Sequence, residues 1–159
     1  MVVGDEAKRL VARRRIEAGD PILTLHGVLV PQPSRHTLQV GCDVHLAPAG
    51  DGSAAPATDE FAWCYLDHAC RPNARVLGRT LLALRAIDVG EAITFDYTTT
   101  EWDMASPFVC GCGAPDCIRI VQGFARLNAA QRLVRRDVIA PHVRERANEQ
   151  EWIGTGESP

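Results

Sequence analysis

The chain has 159 residues, 46% of them hydrophobic and 23% charged, which fits one globular domain with a single core and leaves little room for two. Seventeen basic side chains against 20 acidic ones give a net charge of −3, which argues against a dedicated nucleic-acid binder with its basic face. No apolar run reaches the roughly 18 residues of a membrane helix, the opening MVVGDEAKRL lacks the apolar core of a signal peptide, and a soluble cytoplasmic protein is expected.

In chain order, residues 21–25 (PILTL) and 37–40 (TLQV) alternate between Gly, Pro and Asp breakers, as short strands do. Residues 47–59, APAGDGSAAPATD, are small and aperiodic, the composition of a surface loop. The runs LLAL at 81–84 and AITFDY at 92–97 flank the turn former Asp88-Val89-Gly90 and are expected to pair with each other. From Asn128 the period becomes helical, with Asn128 as N-cap, Gln131 three residues on, and Leu133, Val134 and Val138 on one face. Pro141 ends that segment and opens a second short helix to about residue 149, and residues 152–159 are expected to fray. The expected class is mainly β with a helical C-terminal tail.

Three of the six cysteines fall in CGCGAPDC, at 110, 112 and 117. Gly111 and Gly113 let the backbone fold back so that the sulfurs converge, and convergent thiolates in a reducing compartment suit a tetrahedral zinc. A fourth ligand must come from elsewhere. Cys70, in the turn sequence DHACRPN, leads, with Cys64 and His68 behind it. Cys42 and Cys64, each isolated beside strand-like residues, are expected in the core.

YLDHACRPN at 65–73 resembles the FINHSCxPN motif of SET-domain protein lysine methyltransferases, and GEAITFDY at 90–97 resembles their GEELTFDY. CGCGAPDC matches the family's post-SET zinc element, and LVARRRIEAGD at 10–20 resembles its opening segment, so the resemblance spans about residues 4–126. It implies a minimal SET-domain fold: small curved sheets with a knot-like threading of the two central motifs, a post-SET zinc loop and short C-terminal helices. The chain would then divide into a SET domain over 1–108, a zinc element over 109–126 and a helical tail over 127–159. The implied activity is methyl transfer from S-adenosylmethionine to a lysine side chain of a protein or peptide. Residue by residue, the resemblance makes Tyr97 the catalytic tyrosine that positions amine and methyl, and Phe95 the position that governs how many methyls are added. Asp67 and His68 stand where an Asn-His pair meets the cofactor. Lys8, Arg9 and Leu10 fall at the N-terminal cofactor loop, where Ala7-Lys8-Arg9 replaces a Gly-x-Gly. Cys70, Cys110, Cys112 and Cys117 take the four zinc positions. Lys8 is also the only lysine of the chain, so such an enzyme could methylate little of itself.

A lysine amine has a solution pKa of about 10.4, so roughly one molecule in a few thousand is neutral at pH 7. Desolvation and a neighbouring sulfonium lower that value, which leaves alignment of nitrogen, methyl carbon and sulfur as the main task. Two other readings stand beside this one. A non-catalytic zinc-stabilised binding module is favoured by Ala7-Lys8-Arg9, and a SET-type enzyme for a small-molecule amine by the shortness of the 47–59 loop. With Tyr65 and Tyr97 the only tyrosines, Trp63, Trp102 and Phe108 are the candidates for further channel walls. Asp59, Glu60, Asp96, Glu101 and Asp103 place carboxylates around the motifs, a surface that could attract a basic peptide. Neither a membrane nor direct nucleic-acid binding is expected.

Overall fold

The computed structural model describes residues 2–3, 9–49 and 59–150, so Ala7, Lys8, most of the 47–59 loop and the end expected to fray lie outside the described residues. The described chain is mainly β. In order its strands are β1 (Val2–Val3), β2 (Leu10–Val11), β3 (Pro21–Thr24), β4 (Val28–Val30), β5 (Leu38–Gly41), β6 (Val44–Ala47), β7 (Asp67–His68), β8 (Ala74–Leu77), β9 (Thr80–Ala83), β10 (Thr94–Phe95), β11 (Phe108–Val109) and β12 (Ile120–Val121). They form two three-stranded antiparallel sheets, β3-β9-β8 and β4-β6-β5, and three two-stranded pairs. Among the described residues no helix is long and apolar enough to cross a membrane.

The β8–β9 hairpin turns at Gly78, whose φ of 60° is the left-handed conformation that glycine adopts without strain. Leu25, Val76, Leu81 and Ala83 from this region bury against Leu10, Ile16, Ile87, Ile93 and Phe95 to make the main core. The expected pairing of 81–84 with 92–97 is not formed. β9 lies between β3 and β8, and β10 instead pairs in parallel with β7. Asn73, almost wholly buried, replaces the missing ladder: its amide donates to Ala92 O at 2.8 Å and accepts the Thr94 N–H at 2.8 Å.

A second, smaller core gathers Trp102, Phe124, Leu127, Ile139, Ala140 and Val143. It joins the segment after β10 to the helix α2 (Pro141–Glu149), whereas the preceding helix α1 (Ala129–Leu133) buries none of its residues. Gly123 makes this closeness possible, since a Cβ there would sit 2.6 Å from the Trp102 carbonyl oxygen and the residue has φ of 105°. Asn128 and Gln131 form the expected capping box. The expected apolar face of the first helix is corrected: α1 stops at Leu133, and Leu133 and Val134 are exposed. The chain turns there because Arg135 is drawn inward to a buried carboxylate described below. Cys42 is likewise not a core thiol. It stands exposed on the tight β5–β6 turn with its sulfur 3.6 Å from Glu145. Cys64 is half-buried and packs against the main core.

Candidate active site and metal centre

The parallel β7–β10 pair sets Thr94 opposite Asp67 and Phe95 opposite His68, so two motifs far apart in sequence become neighbours. Beyond β10 the chain enters a short 3-10 helix, Tyr97–Thr99, capped by Asp96, whose Oδ1 accepts the Thr98 N–H at 3.0 Å and its hydroxyl at 2.7 Å. That cap fixes where the Tyr97 side chain leaves the backbone. Its ring packs against Phe95 at 4.7 Å, His68 at 5.4 Å and Phe108 at 5.9 Å between centroids. Its hydroxyl donates to the Leu66 carbonyl. Burial, followed by the charges of Asp67 and Glu101, pushes the Tyr97 phenol well above its ordinary value, so it stays protonated at neutral pH and acts as a hydrogen-bonding group, not a base.

His68 is held from both sides. Its Nδ1 accepts the Tyr97 backbone N–H at 3.2 Å, and its Nε2 lies 3.4 Å from the Cys70 sulfur. Burial, the largest influence, keeps the imidazole below its ordinary pKa, so the neutral ring carries its proton on Nε2, facing that sulfur. The 3.6 Å approach of Asp96 to His68 Nδ1 is then a contact of two acceptors, not an ion pair.

A cavity of about 1100 Å³ opens over these groups, lined by Arg9, Asp67, His68, Phe95, Tyr97 and Glu101 among others. Trp63 and Phe108 line it, as does Cys64, whereas Trp102 belongs to the second core and not to the cavity wall. Asp67 is half exposed and 3.8 Å from the Arg9 guanidinium. The Leu10 side chain lies wholly within the main core, so any contact with a ligand falls to its backbone.

At the cavity edge the sulfurs of Cys70, Cys110, Cys112 and Cys117 all lie within 4.8 Å of one another. Cys70 is 3.9 Å from both Cys110 and Cys117. A zinc–sulfur tetrahedron with bonds of about 2.3 Å has edges of about 3.8 Å, so the donor set fits that ion. The Arg119 N–H points at the Cys117 sulfur at 3.4 Å, and the Cys70 backbone N–H is the main influence that brings the Cys112 thiol down to about 6. The Cys112 shift favours the thiolate a metal needs, whereas burial raises the Cys70 and Cys110 thiols.

No family model matches the chain. The H3 lysine-36 specific histone-lysine N-methyltransferase of Eremothecium gossypii is 33% identical over 157 residues, covering 89% of this chain and 23% of that protein. Methyltransferase flvH of Aspergillus flavus is 33% identical over 85 residues, 51% of this chain and 47% of its own length. The chain spans less than half the length of either curated relative. In structure it matches the methyltransferase domain of human SETMAR with a TM-score of 0.56 at 14% identity, over 76% of this chain and 56% of that one. KRYPTONITE, solved with mCHH DNA, an H3(1-15) peptide and SAH, gives 0.51 at 18% identity, over 75% and 28%. The chain has the fold of a SET domain.

Three features of this fold draw on residues outside the motifs. Asp96 and Glu101, expected in an acidic surface, are buried. Asp96 Oδ2 receives the Arg135 Nε at 2.6 Å, with both side chains nearly inaccessible, and Arg135 also reaches Thr98 Oγ1 at 3.1 Å. The C-terminal segment adds two bonds to the turn after Tyr97: Ala140 N–H donates to Thr99 O at 2.8 Å, and His142 Nε2 meets Thr100 O at 2.8 Å. Gln39 closes the other side, its backbone N–H donating to Glu101 and its side-chain oxygen accepting the Trp102 N–H.

Burial raises the Glu101 carboxyl from 4.5 to about 7. A folded-state pKa above the unfolded one means the folded chain binds more protons between about pH 4.5 and 7, so this group's contribution to stability falls as pH rises through that window. The loss is on the order of 3 kcal/mol. The buried His68 and His142, with pKa values held below 6.5, act in the opposite sense by losing stability as pH falls. The difference between wild type and Glu101→Gln isolates the carboxyl. The variant is expected to gain melting temperature on wild type by several degrees more at pH 8 than at pH 5; equal gains at both values, measured calorimetrically, would refute the burial of an ionisable Glu101.

Proposed function

We propose that this SET domain transfers a methyl group from S-adenosylmethionine to a lysine side chain of a protein or peptide. The single observation that carries the reading is the Tyr97 hydroxyl fixed on the Leu66 carbonyl inside an aromatic-lined cavity that also holds Asp67 and His68. Bound S-adenosylmethionine supplies an electrophilic methyl carbon on a sulfonium sulfur. The residues present fit that group: the half-exposed Asp67 carboxylate is an acceptor for its ammonium, and the rings of Phe95, Tyr97 and Phe108 line the same space. Arg9 and the backbone at Leu10 border the same space, with Lys8 beside them in sequence.

Each residue then has a defined task. Tyr97 and the Leu66 carbonyl orient the amine, Phe95 bounds the space open to added methyls, and the surrounding rings exclude water. Cys70, Cys110, Cys112 and Cys117 would hold a zinc ion whose role is structural, tying β11–β12 to the segment after β7. Exposed Val109 and Ile120 on that hairpin, beside Phe108, offer an apolar edge to a peptide. The H3 peptide carried by KRYPTONITE and the histone-lysine activity named for the fungal relative support a protein substrate.

Tyr97→Phe is the direct test. With zinc loaded, the variant is expected to bind S-adenosylmethionine within about threefold of wild type by calorimetry, yet to lose roughly 100-fold in labelled-methyl transfer onto host lysate. Full transfer by the variant would refute the role given to Tyr97. A second reading, a binding module without cofactor, draws on the Arg9 guanidinium already standing 3.8 Å from Asp67. Calorimetry decides between them: no heat with S-adenosylmethionine on the zinc-loaded chain leaves the module as the answer.

A further inference from the structure

We propose that Glu101 is the proton acceptor of this cavity, its carboxylate taking the proton that a cationic substrate amine must lose before its nitrogen can accept a methyl group. The inference rests on the methyl-transfer reading above.

Glu101 leaves the turn that follows Tyr97, and its backbone is anchored at both ends: its N–H donates to Tyr97 O at 2.9 Å, and its carbonyl accepts the Phe124 N–H at 2.8 Å. The side chain lines the cavity with only 9% of the residue exposed. One carboxylate oxygen accepts the Gln39 backbone N–H at 2.7 Å, and among the described residues no cation reaches the group. A buried carboxylate without a partner cation is costly, and an ammonium entering the cavity supplies that partner. The other charged or titratable side chains around the space are committed or peripheral, Cys110 and Cys112 within the four-sulfur cluster. Arg9 pairs with Asp67, and His68 lies between the Tyr97 N–H and Cys70. Tyr97 donates to Leu66, while Arg35 and His36 are exposed at the rim. Burial raises the Cys64 thiol to about 11, so it takes no proton at neutral pH. Burial also brings the Glu101 carboxyl to about 7, where it can both accept and release a proton at neutral pH.

The step balances in atoms and charge. The ammonium R–NH3+ and the Glu101 carboxylate become R–NH2 and the Glu101 carboxylic acid; an N–H bond breaks, its electron pair stays on nitrogen as the nucleophilic lone pair, and an O–H bond forms. The proton later passes to water at the cavity mouth.

The test uses the full zinc-loaded chain with S-adenosylmethionine and labelled-methyl transfer onto host lysate. Wild type is expected to lose rate on the acidic side with an apparent pKa near 7. Glu101→Gln, which keeps an oxygen for the Gln39 N–H, should lose that limb and fall at least roughly 10-fold at neutral pH with cofactor affinity unchanged. Glu101→Asp should restore the limb at a reduced rate. Carbon-13 NMR of glutamate-labelled protein gives a readout free of turnover: one carboxyl titrating near neutrality in wild type and absent from Glu101→Gln. A Glu101→Gln enzyme with wild-type rate and limb, or a spectrum with no such carboxyl, overturns the proposal alone. No transfer by wild type overturns the methyltransferase reading and this proposal with it.

Discussion

Replacing Arg135 by methionine is expected to lower the melting temperature by about 10 °C. The guanidinium is the only cation paired with Asp96 among the described residues, at 2.6 Å, in a place where both side chains are almost fully shielded from water. Removing one partner of a buried pair costs about 3–5 kcal/mol, because the remaining charge is left desolvated. For a domain of this size each kcal/mol is worth roughly 2–4 °C. Asp96 keeps its two bonds from Thr98, which is why partial rather than total loss of the fold is expected. The double variant Arg135→Met with Asp96→Asn should recover much of the loss, since no uncompensated charge remains. An unchanged calorimetric melting point in the single variant would refute the pair's assigned weight. Methyl transfer should fall with it, because Asp96 caps the helix that carries Tyr97.

Stripping the proposed zinc is expected to be at least as damaging. A metal joining Cys70 to Cys110 closes a loop of 40 residues. By the loop-entropy account of cross-links, that closure is worth about 4 kcal/mol, before counting the zinc–sulfur bonds themselves. Native mass spectrometry should find one zinc per chain. Chelation, or Cys110→Ser at the most buried of the four positions, should lower the melting point by more than about 10 °C. Because Cys110 and Cys112 also line the cavity, S-adenosylmethionine affinity should fall in parallel. A melting curve indifferent to chelation would remove the metal from the description.

The parts legible in the sequence were those written locally. CGCGAPDC, YLDHACRPN and GEAITFDY each place their side chains through a handful of consecutive residues, and the Asn128 and Gln131 cap needs only four. What escaped depends on partners distant in sequence. The apolar run at 92–97 has the composition of a strand that would pair with 81–84, but periodicity says nothing about which edge is free, and Asn73 and β7 took that edge. Leu133 and Val134 had helical spacing, yet the Asp96 carboxylate 39 residues away drew Arg135 inward and ended the helix. Glu101 looked like surface charge for the same reason. Its burial follows from β5, whose Gln39 lies 62 residues upstream.

The bonds from Arg135, Ala140 and His142 to the turn around Tyr97 also impose an order in time. A chain emerging from the ribosome has all three motifs once Cys117 is out, but Asp96 has no cation, and the Thr99 and Thr100 carbonyls no partners, until about 25 further residues have followed. The turn around Tyr97 is thus completed by the last part of the described chain to be made, and a nascent or clipped chain ending near residue 126 would carry every recognisable signature without the bonds that hold that turn in place.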